Sequence, residues 1–250
     1  MYRNNALKDD LLTIDSTQNV GSNNSHLFEY VLPSNFIITK KQTGVVDDRI
    51  NQNYLLLKGI FDFIFSLTVL VILSPLLIFV AVAILIIDKH FPFYLQERIG
   101  LHGKKFKVYK FKSMKDTVDP ALLTIIKEKE ISGILFKSKD DPRISTFGKI
   151  LRRTSIDELP QLFNVLKGDM SLIGPRPVPQ FFLNPLSKKE IEIRTSVKPG
   201  LTGLWQISAR EKDNNIIYMI DYDLKYIRNL SFSQDIKIFF KTFKVLNKGS

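Results

Sequence analysis

The chain contains no cysteine. That excludes disulfides, thiolate-bound zinc and thiol nucleophiles, and it accords with a reducing compartment. A cleavable signal pattern is also missing. Met1 to Asp10 carries Asp9 and Asp10 and leads into no apolar core, so no leader is expected. There is no internal repeat and only one long apolar run, and from Phe63 to Ile87 that run holds no charged residue.

A membrane-crossing helix needs about 20 apolar residues rising about 1.5 Å each, so this run is long enough. Near its middle sits Ser74-Pro75. Proline removes the N–H that would bond the carbonyl of Val71, and it biases Ser74 away from the α region. Taken alone, the pattern favours a kinked transmembrane helix. A segment that turns back within the bilayer is the open alternative.

With 44% hydrophobic residues, the roughly 160 residues after the run can bury a modest core. The net charge of +11 is uneven. Residues 1–50 are close to neutral, and much of the excess lies between Arg98 and Arg153. Such a field attracts anionic headgroups, phosphorylated substrates or nucleic acid, and its place after a membrane segment favours the first two.

Residues 18–25 are polar and expected to be disordered, while Phe28 to Ile38 reads as a short docking element. Two strands, Phe93 to Arg98 and Lys105 to Phe111, bracket Gly100-Leu101-His102-Gly103 as a β-hairpin. Short helices are predicted over Ser145 to Arg153, with Phe147, Ile150 and Leu151 on the apolar side, and over Pro160 to Lys167, closed by Gly168. Residues 173–177 and 198–203 read as loops because proline and glycine oppose both helix and ladder. Ser231 to Leu246 repeats aromatic and aliphatic residues at helical spacing, flanked by Lys237, Lys241, Lys244 and Lys248. That is a basic amphipathic helix, suited either to a membrane interface or to a core-facing position.

Asp157-Glu158 is the chemistry-bearing pair. Pro160 biases Leu159 against α, so a helix beginning there would set both carboxylates at its positive N-terminal end. Adjacent carboxylates also offer hard oxygen ligands for Mg²⁺, and nearby arginines can neutralise a diphosphate. The competing explanation is a capping box formed by Ser155 and Glu158, with no chemistry. Arg176, held between two prolines, suits anion capture at low ordering cost or merely pairs with a surface acid.

The following residues carry a resemblance: Lys58 and Asp62, Ser74-Pro75, Gln96-Glu97-Arg98-Ile99-Gly100, Tyr109-Lys110-Phe111-Lys112-Ser113-Met114, Gly148 to Arg152, Asp157 to Ser171, Gly174-Pro175-Arg176-Pro177 and Lys198 to Gln206. In that order and spacing they resemble the bacterial sugar transferase family of monotopic polyprenyl-phosphate phosphoglycosyl transferases. The resemblance covers about residues 55–247. It implies a mostly helical α/β fold, with a re-entrant membrane helix–break–helix and a small cytoplasmic catalytic domain bearing a β-hairpin and interfacial amphipathic helices. The expected division is an extension at 1–52, a membrane segment at 53–90 and a transferase domain at 91–250.

By the same resemblance, a sugar-1-phosphate passes from a UDP-sugar to polyprenyl (undecaprenyl) phosphate with release of UMP, the first membrane step of surface-glycan assembly. Asp157 is then the nucleophile and a Mg²⁺ ligand, with Glu158 as its partner. Arg152, Arg176, Arg210, Asp223, Lys110 and Arg98 are implied in phosphate or substrate binding. Ser74 and Pro75 form the membrane break, and Lys58 and Asp62 lie at the membrane interface. Two departures stand out: Ala209 where glycine is usual, and Lys112 where arginine is common, which keeps charge but loses fork geometry. Residues 204–208 lean toward hexose-1-phosphate members. The expected setting is the inner membrane with the catalytic domain facing the cytoplasm, and homodimerisation is left open. A non-enzymatic basic membrane scaffold is the alternative. No nucleic-acid partner is expected, because Phe106, Tyr109 and Phe111 read as strand packing rather than base-stacking platforms.

Overall fold

The computed structural model describes residues 52–115, 141, 143–208 and 216–246. The polar stretch at 18–25, the patch at 28–38, and Ala209 and Arg210 lie outside these residues.

Helix α1, Gln52–Ala83, widens into a π turn over Ile84–Asp88 and stops at Lys89, whose backbone is left-handed at φ 56. It is long and apolar enough to cross a membrane, and only 17% of its most apolar window is buried. A core helix of a soluble protein would be covered. This one turns Leu57, Ile64, Val71, Ile72, Ile78 and Phe79 outward and requires an apolar solvent. Helical structure runs on through Ser74-Pro75 instead of dividing into two helices. The reason is local: the Ser74 hydroxyl donates to the Val71 carbonyl at 2.8 Å, replacing the bond that Pro75 cannot make.

Strands β1, Phe93–Ile99, and β2, Lys105–Phe111, form the predicted antiparallel hairpin, with Phe93 opposite Phe111 and Ile99 opposite Lys105. Val108 is buried and Phe106 half-buried while Lys105 and Lys107 are exposed, as the alternation predicts, and Phe111 at the end of the lysine face is buried too. Helix α2, Thr146–Arg153, is capped by Ser145, whose Oγ accepts from the Gly148 N–H at 2.8 Å. Leu151 is buried and Phe147 packs beside it, whereas Ile150 points outward. Leu151 and Phe111 join Val80 and Ile84, so the C-terminal end of α1 packs on the domain.

The second predicted helix begins earlier than expected, as a 3₁₀ turn over Ile156–Gln161 that leads into α3, Leu162–Leu166. Gly168 follows with φ 80.

The two predicted loops contain a correction. Residues Ser171–Ile173 (β3) and Gly200–Thr202 (β4) form a short parallel sheet. Proline at 199 and 175 still contributes carbonyls: Ser171 N–H donates to Pro199 O and Gly200 N–H to Pro175 O, both at 2.8 Å. Glycine makes the approach possible. A Cβ on Gly200 would sit 2.1 Å from the Gly174 nitrogen.

Helix α4, Lys188–Arg194, carries a true capping box between Ser187 and Glu190. Helices α5, Leu204–Ser208, and α6, Ile216–Arg228, complete the core, with Met219, Ile220, Leu224 and Ile227 buried. Helix α7, Phe232–Leu246, is the predicted basic amphipathic helix. It buries Ile238 and Asp235 and turns Phe232, Phe240 and Phe243 outward, while Phe239 meets Phe65 of α1 edge-on.

Candidate active site

Four elements converge on the Asp157-Glu158 pair. The chain leaves α2 through Ser155, whose left-handed φ of 56 turns it sharply into the 3₁₀ segment. That conformation bears on the capping-box reading. Ser155 makes no side-chain cap, and the Glu158 N–H bonds the Ser155 backbone carbonyl instead. The Glu158 carboxylate faces cations: its Oε1 accepts from Lys110 Nζ at 2.8 Å, and Arg176 Nη2 lies 3.6 Å away. The capping box is therefore not formed.

Asp157 is half-buried beside Glu158. Arg152 donates through Nε to Ser113 Oγ at 3.0 Å. Burial pushes its guanidinium below the usual arginine range, and the negative charges of Asp157, Asp141 and Glu158 oppose that shift. Lys110, Arg152 and Arg176 thus gather around two carboxylates. A surplus of fixed positive charge suits a bound diphosphate.

Arg176 is itself held from behind. Arg194 Nη2 donates to the Arg176 carbonyl at 2.6 Å, and Arg194 pairs with Asp223 through Nε at 3.1 Å and Nη2 at 2.7 Å. Both side chains are almost fully buried. Burial raises the Asp223 carboxyl to about 6, with Arg194 and the Arg176 backbone N–H opposing. The Arg176 guanidinium also lies 5.9 Å from the centroid of the Trp205 ring.

Some sequence-predicted residues stand elsewhere. Asp223 is almost fully buried behind Arg176, paired with Arg194 and bonded by the Arg176 backbone N–H. Arg98 donates to Gln96 and pairs with Phe106 across the hairpin, while Lys110 pairs with Tyr94. That separation of four residue pairs is about 13 Å along the strand. Lys58 and Asp62, assigned to the membrane interface, are both bonded within the protein. Lys58 Nζ bonds Asp235 at 2.6 Å, and the buried Asp62 accepts from Ser171 Oγ at 2.6 Å. Each is satisfied inside the protein because a buried charge without a partner is costly.

Among the described residues no group of three carboxylate or histidine side chains could enclose a metal ion. Glu158 already carries two cations. The donor set therefore fits Mg²⁺ only with Asp157 supplying one carboxylate and a substrate supplying phosphate oxygens, an ordinary pattern for that ion.

The sequence matches the family described as bacterial sugar transferase over residues 53–249. The chain belongs to that family. It is 41% identical over 196 residues to the undecaprenyl-phosphate galactose phosphotransferase of Salmonella typhimurium, covering 76% of this chain and 40% of that protein. Identity to the galactosyl transferase CpsE of Streptococcus agalactiae is 43% over 159 residues, covering 63% of this chain and 35% of that protein. The exopolysaccharide production protein ExoY of Sinorhizobium fredii is 38% identical over 201 residues, covering 77% of this chain and 87% of that protein. The chain spans well under half the length of the first two and most of the third.

Sequence reasoning missed one residue of this sugar transferase site, Arg194. It ends a seven-residue helix and its partner Asp223 lies 29 positions away.

Proposed function

We propose that the chain transfers a sugar-1-phosphate from a UDP-sugar to polyprenyl phosphate through a covalent phospho-sugar ester on Asp157. The observation that carries this reading is the cationic setting of the dyad: Lys110 and Arg176 face Glu158, and Arg152 feels the charge of both carboxylates. Relatives named for undecaprenyl phosphate supply the acceptor class.

In the first step an Asp157 oxygen attacks the β-phosphorus and the bond to the UMP oxygen breaks. In the second, an oxygen of the lipid phosphate attacks the same phosphorus and the Asp157 ester bond breaks, restoring the carboxylate. Two steps let a soluble donor and a membrane acceptor share one site. Lys110, Arg152 and Arg176 hold the phosphates and absorb charge on the leaving group. Mg²⁺, when bound at Asp157 and the donor phosphates, supplies further charge neutralisation. Arg98 and Arg210 keep their sequence-based assignment to substrate.

The membrane segment is read as re-entrant, and both of its ends support this. Lys58 near its start bonds Asp235 of α7, and Asp88 at its finish accepts from Ser145 Oγ at 2.8 Å. Both ends are bonded to one charged domain, which favours a segment that enters and leaves on the same face. Because UDP-sugars are made in the cytoplasm, that domain faces it from the inner membrane.

The test is UMP release by the full chain in nanodiscs, with undecaprenyl phosphate and a panel of UDP-glucose, UDP-galactose and their N-acetyl forms. Release with a hexose donor, and ³²P retained on the protein from a β-labelled donor, is expected. Wild-type turnover by Asp157→Asn would overturn the nucleophile.

A further inference from the structure

Beside the dyad lies a cavity of about 550 Å³ that the transfer chemistry has not yet used. Its walls are Phe91, Phe93 and Leu95 on one side and Pro160, Phe163 and Leu166 on the other, with Tyr109 between and Lys167 at the rim. The volume is in the range of sites that bind small organic ligands. Its lining is almost wholly apolar, yet Phe91 is largely exposed and Leu95 and Phe163 about half exposed.

Three observations restrict what belongs there. First, the walls are fixed. The buried Asn164 accepts from the Tyr109 N–H at 3.0 Å and donates to the Lys107 carbonyl at 2.7 Å, clamping α3 to β2. Phe93 also stacks on the buried Phe111, with ring centroids 5.4 Å apart. Second, the groove connects the membrane to the chemistry. Phe91 follows the end of the membrane helix by three residues, and Pro160 follows Glu158 by two. On the 3₁₀ turn, Asp157 and the groove-lining Pro160 are three residues apart and so share a face. Third, the rim is cationic. Lys167 Nζ lies 3.3 Å from the Tyr109 hydroxyl and 3.5 Å from Asp169, more than half exposed.

From these observations we infer that the groove holds the phosphate-proximal isoprene units of the polyprenyl phosphate acceptor and leads its headgroup toward Lys110 and Asp157. This rests on the transfer reaction proposed above. An apolar chain ending in a dianion matches a rigid apolar groove that begins at the membrane helix, has a lysine at its rim and ends beside a cationic site. Aromatic walls suit branched, unsaturated five-carbon units, which pack with little loss of freedom against fixed rings.

Two measurements test it on the full chain. In detergent micelles, KM is determined separately for undecaprenyl phosphate and for the UDP-sugar. Leu166→Trp fills the groove, and Phe163→Ser removes a ring that is half exposed and so threatens the fold little. Each is expected to raise the acceptor KM about tenfold, with less than about a twofold change for the donor. An acceptor KM unchanged in both variants overturns the groove, as does an equal rise in both constants. Loss of vesicle retention by Phe163→Ser with a wild-type acceptor KM in micelles means the groove merely rests on bilayer lipid, and it also overturns the inference. The second measurement needs no turnover. A benzophenone-tagged isoprenyl phosphate should crosslink to peptides carrying Phe163 and Leu166, and undecaprenyl phosphate should compete. Crosslinks elsewhere sink the groove even where transfer is intact. Crosslinks here without any transfer sink the catalytic reading alone.

Discussion

Ser74 donates its hydroxyl hydrogen to the carbonyl of Val71, the very acceptor that Pro75 leaves without a backbone partner. The serine is therefore a repair for the proline beside it. In hydrocarbon no water is available to do the same work. Ser74→Ala should leave that carbonyl unpaired at a cost of about 1–3 kcal/mol. The readout is the midpoint of thermal unfolding in nanodiscs, with Ser74→Thr retaining most of the wild-type value. An alanine variant as stable as wild type would mean the carbonyl is satisfied in another way.

A second prediction concerns the tie between the membrane helix and α7. Asp235 accepts from Lys58 at 2.6 Å, Tyr54 at 2.5 Å and Tyr226 at 2.8 Å. Replacing it with alanine strands a buried ammonium and two hydroxyls, a loss of about 3–5 kcal/mol. The double variant Lys58→Met with Asp235→Leu should recover much of it, since the uncompensated charge is gone. A thermodynamic cycle on unfolding in detergent separates the pair from its surroundings. Additive losses would show that the two side chains do not depend on each other.

Lys110 links the hairpin to the dyad, and its removal should be felt in rate more than in stability. Lys110→Met deletes a charge-assisted bond of about 1.5–3 kcal/mol, which converts to roughly 10–100-fold in kcat/KM for the UDP-sugar. Arg176, 3.6 Å from the same Glu158 oxygen, keeps that carboxylate partly neutralised and so limits the damage to the fold. Equal kcat/KM in variant and wild type would remove Lys110 from the site.

What the sequence made legible follows from the range of each interaction. The hairpin, α2, α7 and the apolar helix were readable because their signals are periodic and local. The Ser74 repair was likewise one helical turn away. The loops at 173–177 and 198–203 were misjudged in part, because a parallel pair between Ser171–Ile173 and Gly200–Thr202 depends on two chain segments meeting, which no local rule encodes. The resemblance assigns Lys58 and Asp62 to the membrane interface, but their partners Asp235 and Ser171, more than a hundred positions away, were beyond any local rule. At the dyad, local sequence offered two outcomes for Ser155 and Glu158. The left-handed backbone at Ser155 leaves the capping box unformed, and the distant Lys110 takes the Glu158 carboxylate.

Asp223 offers the sharpest test, because activity and stability should respond to acid in opposite directions. Its carboxyl is raised by burial to about 6 from an ordinary value of 3.8. At neutral pH it is ionised and holds Arg194, which holds the Arg176 carbonyl. As pH falls through about 6 the carboxylate takes up a proton, Arg194 loses its counter-charge, and Arg176 loosens. The kcat/KM should fall there. The sign for folding is reversed. Between 3.8 and about 6 the folded state binds more protons than the unfolded chain, so this group's contribution improves as pH drops across that window and worsens as pH rises. In Asp223→Asn the charge is absent at every pH. Its kcat/KM should be low throughout and lack this acid limb, and its unfolding midpoint should lose the corresponding slope. Titration of the acceptor phosphate is common to both proteins and cancels in the comparison. Parallel pH profiles of kcat/KM for variant and wild type would refute the chain from Asp223 through Arg194 to Arg176.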